Sequence, residues 1–136
     1  MMLEGGCFCG AIRYRVEGSP RRVTHCHCRH CRRTSGAAIV TWAVFDEGSL
    51  TFVSGVPKEF ESRPGAMRTF CPRCGSPLTF RDALTPETID VTVGTLDTPE
   101  AVNPEDHVWF DRAIPWLRID DGLPRHGKGR DRPPDR

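Results

Sequence analysis

Seven cysteines fall into three clusters, Cys7-x-Cys9, Cys26-x-Cys28-x-x-Cys31 and Cys71-x-x-Cys74. Thiols paired at such short spacing hold metal ions, and zinc is the ion that pattern suits. A closed structural zinc site takes four protein ligands, whereas a catalytic one keeps three and leaves a position for water or substrate. Seven sulfurs divide into four plus three, and two zinc ions are expected.

The spacing suggests how they divide. Cys7 and Cys9, two apart on an extended strand, point to one face and form half a site. Cys71-Pro72-Arg73-Cys74-Gly75 has the form of a zinc knuckle, in which a tight turn unites two sulfurs and Gly75 accepts the backbone geometry of the turn. Joining these two pairs across the intervening chain would clamp a sheet and restrict the unfolded chain, as a structural zinc does. Cys26, Cys28 and Cys31 then remain as a compact tripod with a fourth corner open. A second pairing stays open at this level, with two tripod thiols joining Cys71 and Cys74 as a zinc ribbon and Cys7 and Cys9 left over.

Histidines crowd the tripod. On a Cys-x-Cys strand His25 and His27 face away from the sulfurs, while His30, inside the turn, could close the fourth position or stand as a hydrogen-bonding neighbour. His107, ahead of Val108-Trp109-Phe110, reads as a hydrogen-bonded structural histidine or as a base near the site. Trp42, Trp109, Trp116, Phe45 and Phe110 read as core side chains before they read as a substrate cage. Glu59 and Glu61 alternate as solvent-facing charges do. Residues 21–33 carry five arginines and no acid, which serves either a solvated loop offsetting thiolate charge or the recruitment of an anion.

The elements that must position these groups are short. Ile12, Tyr14 and Val16 alternate as a strand does, and residues 39–45, 50–53, 67–70, 78–81, 89–93 and 116–119 are further strand candidates bounded by Gly, Pro, Asp or Ser. Helical turns are expected at 31–35 and 99–103. Thirteen glycines and twelve prolines in 136 residues force frequent turns. A single mainly β domain over residues 3–124 is expected, followed by a flexible tail over 125–136 that lacks a large apolar residue.

Formal net charge is +1, which provides no global field for nucleic acid or anionic membranes. The opening Met1-Met2-Leu3-Glu4-Gly5-Gly6 shows neither a basic leader nor an apolar stretch, so a cytoplasmic protein without a membrane span is expected. In that reducing compartment clustered thiols act as metal ligands before they act as disulfides.

Residues 6–14 (GCFCGAIRY), 26–36 (CHCRHCRRTSG) and 70–78 (FCPRCGSPL) closely resemble the glutathione-dependent formaldehyde-activating (GFA) family, also called the CENP-V/GFA domain. Asp106-His107-Val108-Trp109 and residues 114–124 resemble the C-terminal portion of that family, so the likeness spans about residues 5–124. The resemblance implies an Mss4-like β-sheet fold stabilised by zinc, with Cys7, Cys9, Cys71 and Cys74 on a structural ion and Cys26, Cys28 and Cys31 on an active-site ion. It also implies a carbon-sulfur lyase-type reaction in which glutathione, as co-substrate, adds to formaldehyde or a related small aldehyde. Three thiolates on Zn(II) give a formal charge of minus one, so the ion polarises water weakly yet accepts and deprotonates a further thiol. Arg29, Arg32 and Arg33 could hold glutathione carboxylates. The alternative is a non-catalytic zinc module that carries glutathione or binds a protein or chromatin partner.

Overall fold

The computed structural model describes residues 1–129, and strands dominate it. β1 (Met2–Gly6), β2 (Arg13–Glu17) and β5 (Leu50–Ser54) form a three-stranded antiparallel sheet in the order β1-β2-β5. The second sheet has seven strands: β3 (Arg22–Cys26), β4 (Val40–Asp46), β6 (Lys58–Arg63), β7 (Ala66–Phe70), β8 (Pro77–Asp82), β9 (Thr88–Thr92) and β10 (Asp106–Val108). Its order is β10-β3-β4-β9-β8-β7-β6, antiparallel throughout except for the parallel β10–β3 pair. The mainly β architecture with few helical turns agrees with the expected Mss4-like class.

Strand periodicity explains the layering. In β2, Tyr14 and Val16 are buried while Arg13 and Arg15 are only partly covered, as the two faces of a pleated strand require. In the interior strand β4, Ala43 and Phe45 join one apolar cluster with Tyr14, Val16, Val91, Cys7 and Cys71. Val40 and Trp42 join another with Phe80, Trp109 and the cysteines at 26, 28 and 31. The two cysteine groups thus fall in different cores.

One helix, α1 (Arg29–Ser35), follows β3 and contains the expected turn at 31–35. Cys28 is its N-cap, with Sγ accepting from the Cys31 backbone N–H at 3.2 Å. Gly36, at φ 74°, ends it by donating its N–H to the Arg32 carbonyl, a left-handed cap that glycine adopts without a Cβ clash. Arg32 and Arg33 in the last turn complement the helix dipole. Near 99–103 a 3-10 turn covers Pro99–Ala101.

Three expectations change. Trp116–Ile119 is not a strand; Trp116 is 74% exposed, and the segment continues as irregular chain along a surface cavity. Strands β1, β6 and β10 lie outside the strand candidates: Met2–Gly6 ends in two glycines, and β6, where Glu59 and Glu61 alternate, is a largely exposed edge. Arg125–Lys128, counted with the flexible tail, runs beside β10 together with Pro124. The Pro124 carbonyl accepts from the His107 N–H and the Lys128 carbonyl from the Trp109 N–H, while the His126 N–H donates to the His107 carbonyl. Backbone pairing, with the Arg125 guanidinium over the Phe110 ring, anchors a stretch without apolar side chains of its own. The rest of that expected tail, 130–136, lies outside the described residues. No helix among the described residues is long and apolar enough to cross a membrane.

Candidate functional site

None of the seven cysteines is disulfide-bonded. The sulfurs of Cys7, Cys9, Cys71 and Cys74 lie within 4.8 Å of one another, with 3.6 Å between Cys7 and Cys9 and 3.8 Å between Cys9 and Cys71. A tetrahedron with Zn–S bonds of about 2.3 Å has edges of ~3.8 Å, so this donor set fits one zinc ion. Cys7 and Cys9 reach it from a turn after β1 and not from a strand. The Gly10 N–H donates to the Cys7 carbonyl, and Gly10 takes φ 82°. The other half behaves as a knuckle. Cys71 Sγ accepts from the backbone N–H groups of Arg73 and Cys74, and Gly75 turns the chain at φ 82°. Hydrogen bonding from the Ser76 hydroxyl and backbone pulls the Cys74 thiol down to about 5, which favours the thiolate a metal takes. Cys71 and Cys74 thus lie with Cys7 and Cys9 and not with the tripod, unlike the zinc-ribbon pairing.

Cys26, Cys28 and Cys31 form the second group, all buried and all within 4.8 Å of one another. β3 ends at Cys26 and α1 is capped by Cys28, so the strand-to-helix corner gathers the three sulfurs. Among the described residues no histidine, aspartate or glutamate joins them within that distance. Three soft donors in this spacing fit a zinc ion with one position left for an exogenous ligand.

The flanking histidines belong to a different network. Asp121 Oδ2 accepts from His107 Nε2 at 2.7 Å, and the other ring nitrogen, His107 Nδ1, is hydrogen-bonded to His27 Nε2 at 2.8 Å. His27 and His107 are both buried, and the Phe110 ring stands edge-on to His27. Burial pushes the His27 imidazole down to about 4, with His107 adding to the effect, so the ring is neutral near pH 7. His25 is lowered for the same two reasons, and its Nδ1 meets Thr41 Oγ1 at 2.7 Å. Burial alone would raise the Asp121 carboxyl, but hydrogen bonds from Arg125 and His107 outweigh it and hold the group well below the usual carboxylate range. His25, His107 and Asp121 also cluster tightly, yet both ring nitrogens of His107 are engaged, so the trio is a hydrogen-bonded one. His30, on α1, stands apart from the three sulfurs as well.

Two cavities flank this corner. The smaller, about 430 Å³, is lined by His27, His107 and Phe110 together with the irregular chain over residues 113–119. The larger, about 460 Å³, has Val40, Trp42, Phe60 and Phe70 among its walls, and Arg33 and Arg68 as its cations. Of the three arginines singled out by sequence, Arg33 alone lines this larger cavity. Arg68 was not singled out. Its guanidinium is buried, lies over the Phe80 ring at 4.7 Å, and carries Nη1 and Nη2 at 4.0 and 3.9 Å from Cys31 Sγ. No spacing rule points to it, because it reaches the tripod across the sheet from β7. Of the five aromatics expected in the core, Trp42, Trp109 and Phe45 are buried, Phe110 borders the smaller cavity and Trp116 is exposed.

The family described as glutathione-dependent formaldehyde-activating enzyme matches residues 2–112. A Halomonas elongata protein whose name carries the same family description is 30% identical over 130 residues, covering 88% of this chain and 82% of that one. An uncharacterized lyase of Schizosaccharomyces pombe is 30% identical over 77 residues, covering 57% of this chain and 56% of that one. A crystal structure of a Rhodobacter sphaeroides protein is 27% identical, with a TM-score of 0.61 over 90% of this chain and 98% of that one.

Proposed function

Because this chain belongs to the glutathione-dependent formaldehyde-activating enzyme family, we propose that it is a carbon-sulfur lyase adding a thiol such as glutathione to formaldehyde or a related small aldehyde. The observation that carries this reading is the inequality of the two sulfur groups: four around one point, three around the other. In this reading Cys7, Cys9, Cys71 and Cys74 hold a structural zinc ion, and Cys26, Cys28 and Cys31 hold the ion at which the thiol is taken up.

When bound to three thiolates, zinc supplies a soft acceptor for a fourth sulfur and lowers the pKa of that thiol. The chain's own residues arrange the surroundings. Arg68, beside Cys31, offsets the negative charge that three thiolates bring into a buried corner. The Asp121–His107–His27 chain fixes the ring between Cys26 and Cys28, and with it the backbone that carries both sulfurs. In the addition, the thiolate sulfur bonds to the carbonyl carbon, the π pair moves to oxygen, and oxygen takes a proton from solvent to give a hydroxymethyl thioether. The reverse cleaves that carbon–sulfur bond. A cytoplasmic setting, where thiols stay reduced, belongs to the same proposal.

The test is the exchange rate between free formaldehyde and its glutathione adduct, followed by magnetisation transfer with ¹³C-formaldehyde, in the presence of the parent protein, Cys28→Ser or buffer alone. The parent should accelerate exchange, and Cys28→Ser should match buffer. A parent carrying two zinc ions per chain that is indistinguishable from buffer would rule out catalysis and leave thiol carriage.

A further inference from the structure

Trp42 stands out as a buried donor that the described fold leaves without a partner, and Arg68 as a buried cation with donor capacity to spare. Arg68 is only 7% exposed, yet among the described residues no carboxylate pairs with it. Its Nε donates to Ser62 Oγ at 3.1 Å, and its two terminal nitrogens meet only Cys31 Sγ, at the outer limit of a hydrogen bond to sulfur. A guanidinium has five N–H donors, so two of them have no acceptor here. Trp42 is 3% exposed and its indole Nε1 has no hydrogen-bond partner among the described residues. Both residues line the 460 Å³ cavity, whose lining includes a second arginine, Arg33, and no acid.

Buried guanidinium and indole N–H groups are costly to leave short of acceptors, and donors carried by two residues that line one cavity call for an acceptor there. A cation and a neutral donor together suit a carboxylate, since a planar guanidinium edge matches its two oxygens. The remaining walls, Val40, Phe60 and Phe70, suit the apolar backbone of the same molecule. Formaldehyde is far too small to occupy such a space and has no charge to meet Arg68. Arg68 borders both the cavity and the tripod, so a molecule anchored at its guanidinium is placed beside Cys31.

We propose that Arg68 and Trp42 are positioning residues that grip a carboxylate of the thiol co-substrate in this cavity and thereby select an acidic thiol over a neutral one. The inference rests on the reading of the three-cysteine group as the thiol-binding centre. It is tested with a ligand that has no thiol, so that binding in the cavity is measured apart from uptake at the sulfurs. The probes are S-methylglutathione and its diethyl ester, titrated calorimetrically into the parent, Arg68→Met, Arg68→Lys and Trp42→Phe, with zinc counted in each preparation.

The parent should bind the acid more tightly than the diester. Arg68→Met should weaken the acid about 10- to 100-fold and Trp42→Phe about 5-fold, the range for hydrogen bonds to charged and neutral groups. Arg68→Lys should recover part of the loss, and diester binding should change less than about twofold in every variant. Equal binding of acid and diester by the parent, or equal losses of both in Arg68→Met, would overturn the proposal. So would a parent that ignores S-methylglutathione but binds glyoxylate, which would assign the cavity to the aldehyde. None of these outcomes depends on turnover, so failure of the catalytic reading is seen separately in the exchange assay.

Discussion

The four-sulfur group makes a prediction about stability that the three-sulfur group does not share. Cys9 and Cys71 are 62 positions apart, so an ion held between them closes most of the first half of the chain into a loop. Treated as a cross-link of the kind a disulfide makes, a loop of that length removes unfolded-chain entropy worth about 4 kcal/mol, and the five positions from Cys26 to Cys31 only about 2 kcal/mol. With an unfolding entropy near 2.1 cal/mol/K per residue, 136 residues convert these into falls in Tm of about 14 °C and about 7 °C. Cys74→Ser and Cys28→Ser are suitable perturbations. Cys74 is exposed, so its loss opens no cavity, and serine at position 28 preserves the side-chain cap that Cys28 gives to α1. Differential scanning calorimetry should find Cys74→Ser the less stable by about 7 °C, with elemental analysis finding near two zinc ions per parent chain and near one in either variant. Equal falls in Tm, or loss of both ions from one substitution, would refute the division into a clamp and an independent centre.

Two further predictions concern the histidine network. His107→Phe should lower the urea-measured unfolding free energy by about 2 kcal/mol, because the buried His27 Nε2 loses the hydrogen-bond partner it has among the described residues; an unchanged value would show that His27 finds another. The Asp121 carboxyl lies lower in the folded state than in the unfolded chain, so it contributes stability above the ordinary carboxylate pKa and loses it as pH falls through that range toward the folded value. Parent stability should therefore drop in acid below about pH 4, and Asp121→Asn should flatten this part of the profile. A variant with the parent's slope would mean that other carboxylates carry the acid dependence.

Much of the candidate centre was legible from the chain alone because metal ligation is a local affair of residue type and spacing. The x and x-x intervals at 7–9, 26–31 and 71–74 are short enough that almost any compact backbone keeps each cluster together. Glycine also carried information: Gly75 takes the left-handed conformation that the knuckle turn requires. Strands with clear alternation, such as those holding Tyr14 and Val16 or Trp42 and Phe45, were visible for the same local reason. The short β10 and the exposed edge strand β6 were not, because neighbours and not periodicity hold them in place.

What only the tertiary structure decided is which distant groups meet. Sequence order leaves open whether Cys71 and Cys74 join the first pair or the tripod; the packing of the two sheets around one apolar cluster that includes Cys7 and Cys71 brings them to the first pair. Arg68, 37 positions from Cys31, becomes its neighbour because α1 and β7 contribute Cys31 and Ala66 to one apolar cluster with Trp42 and Phe80, and His107 becomes the link between Asp121 and His27 because β10 pairs with β3. Residue type fixes what chemistry a side chain can do. Which partner it does it with depends on contacts between residues far apart in the chain, and only the packed fold sets those.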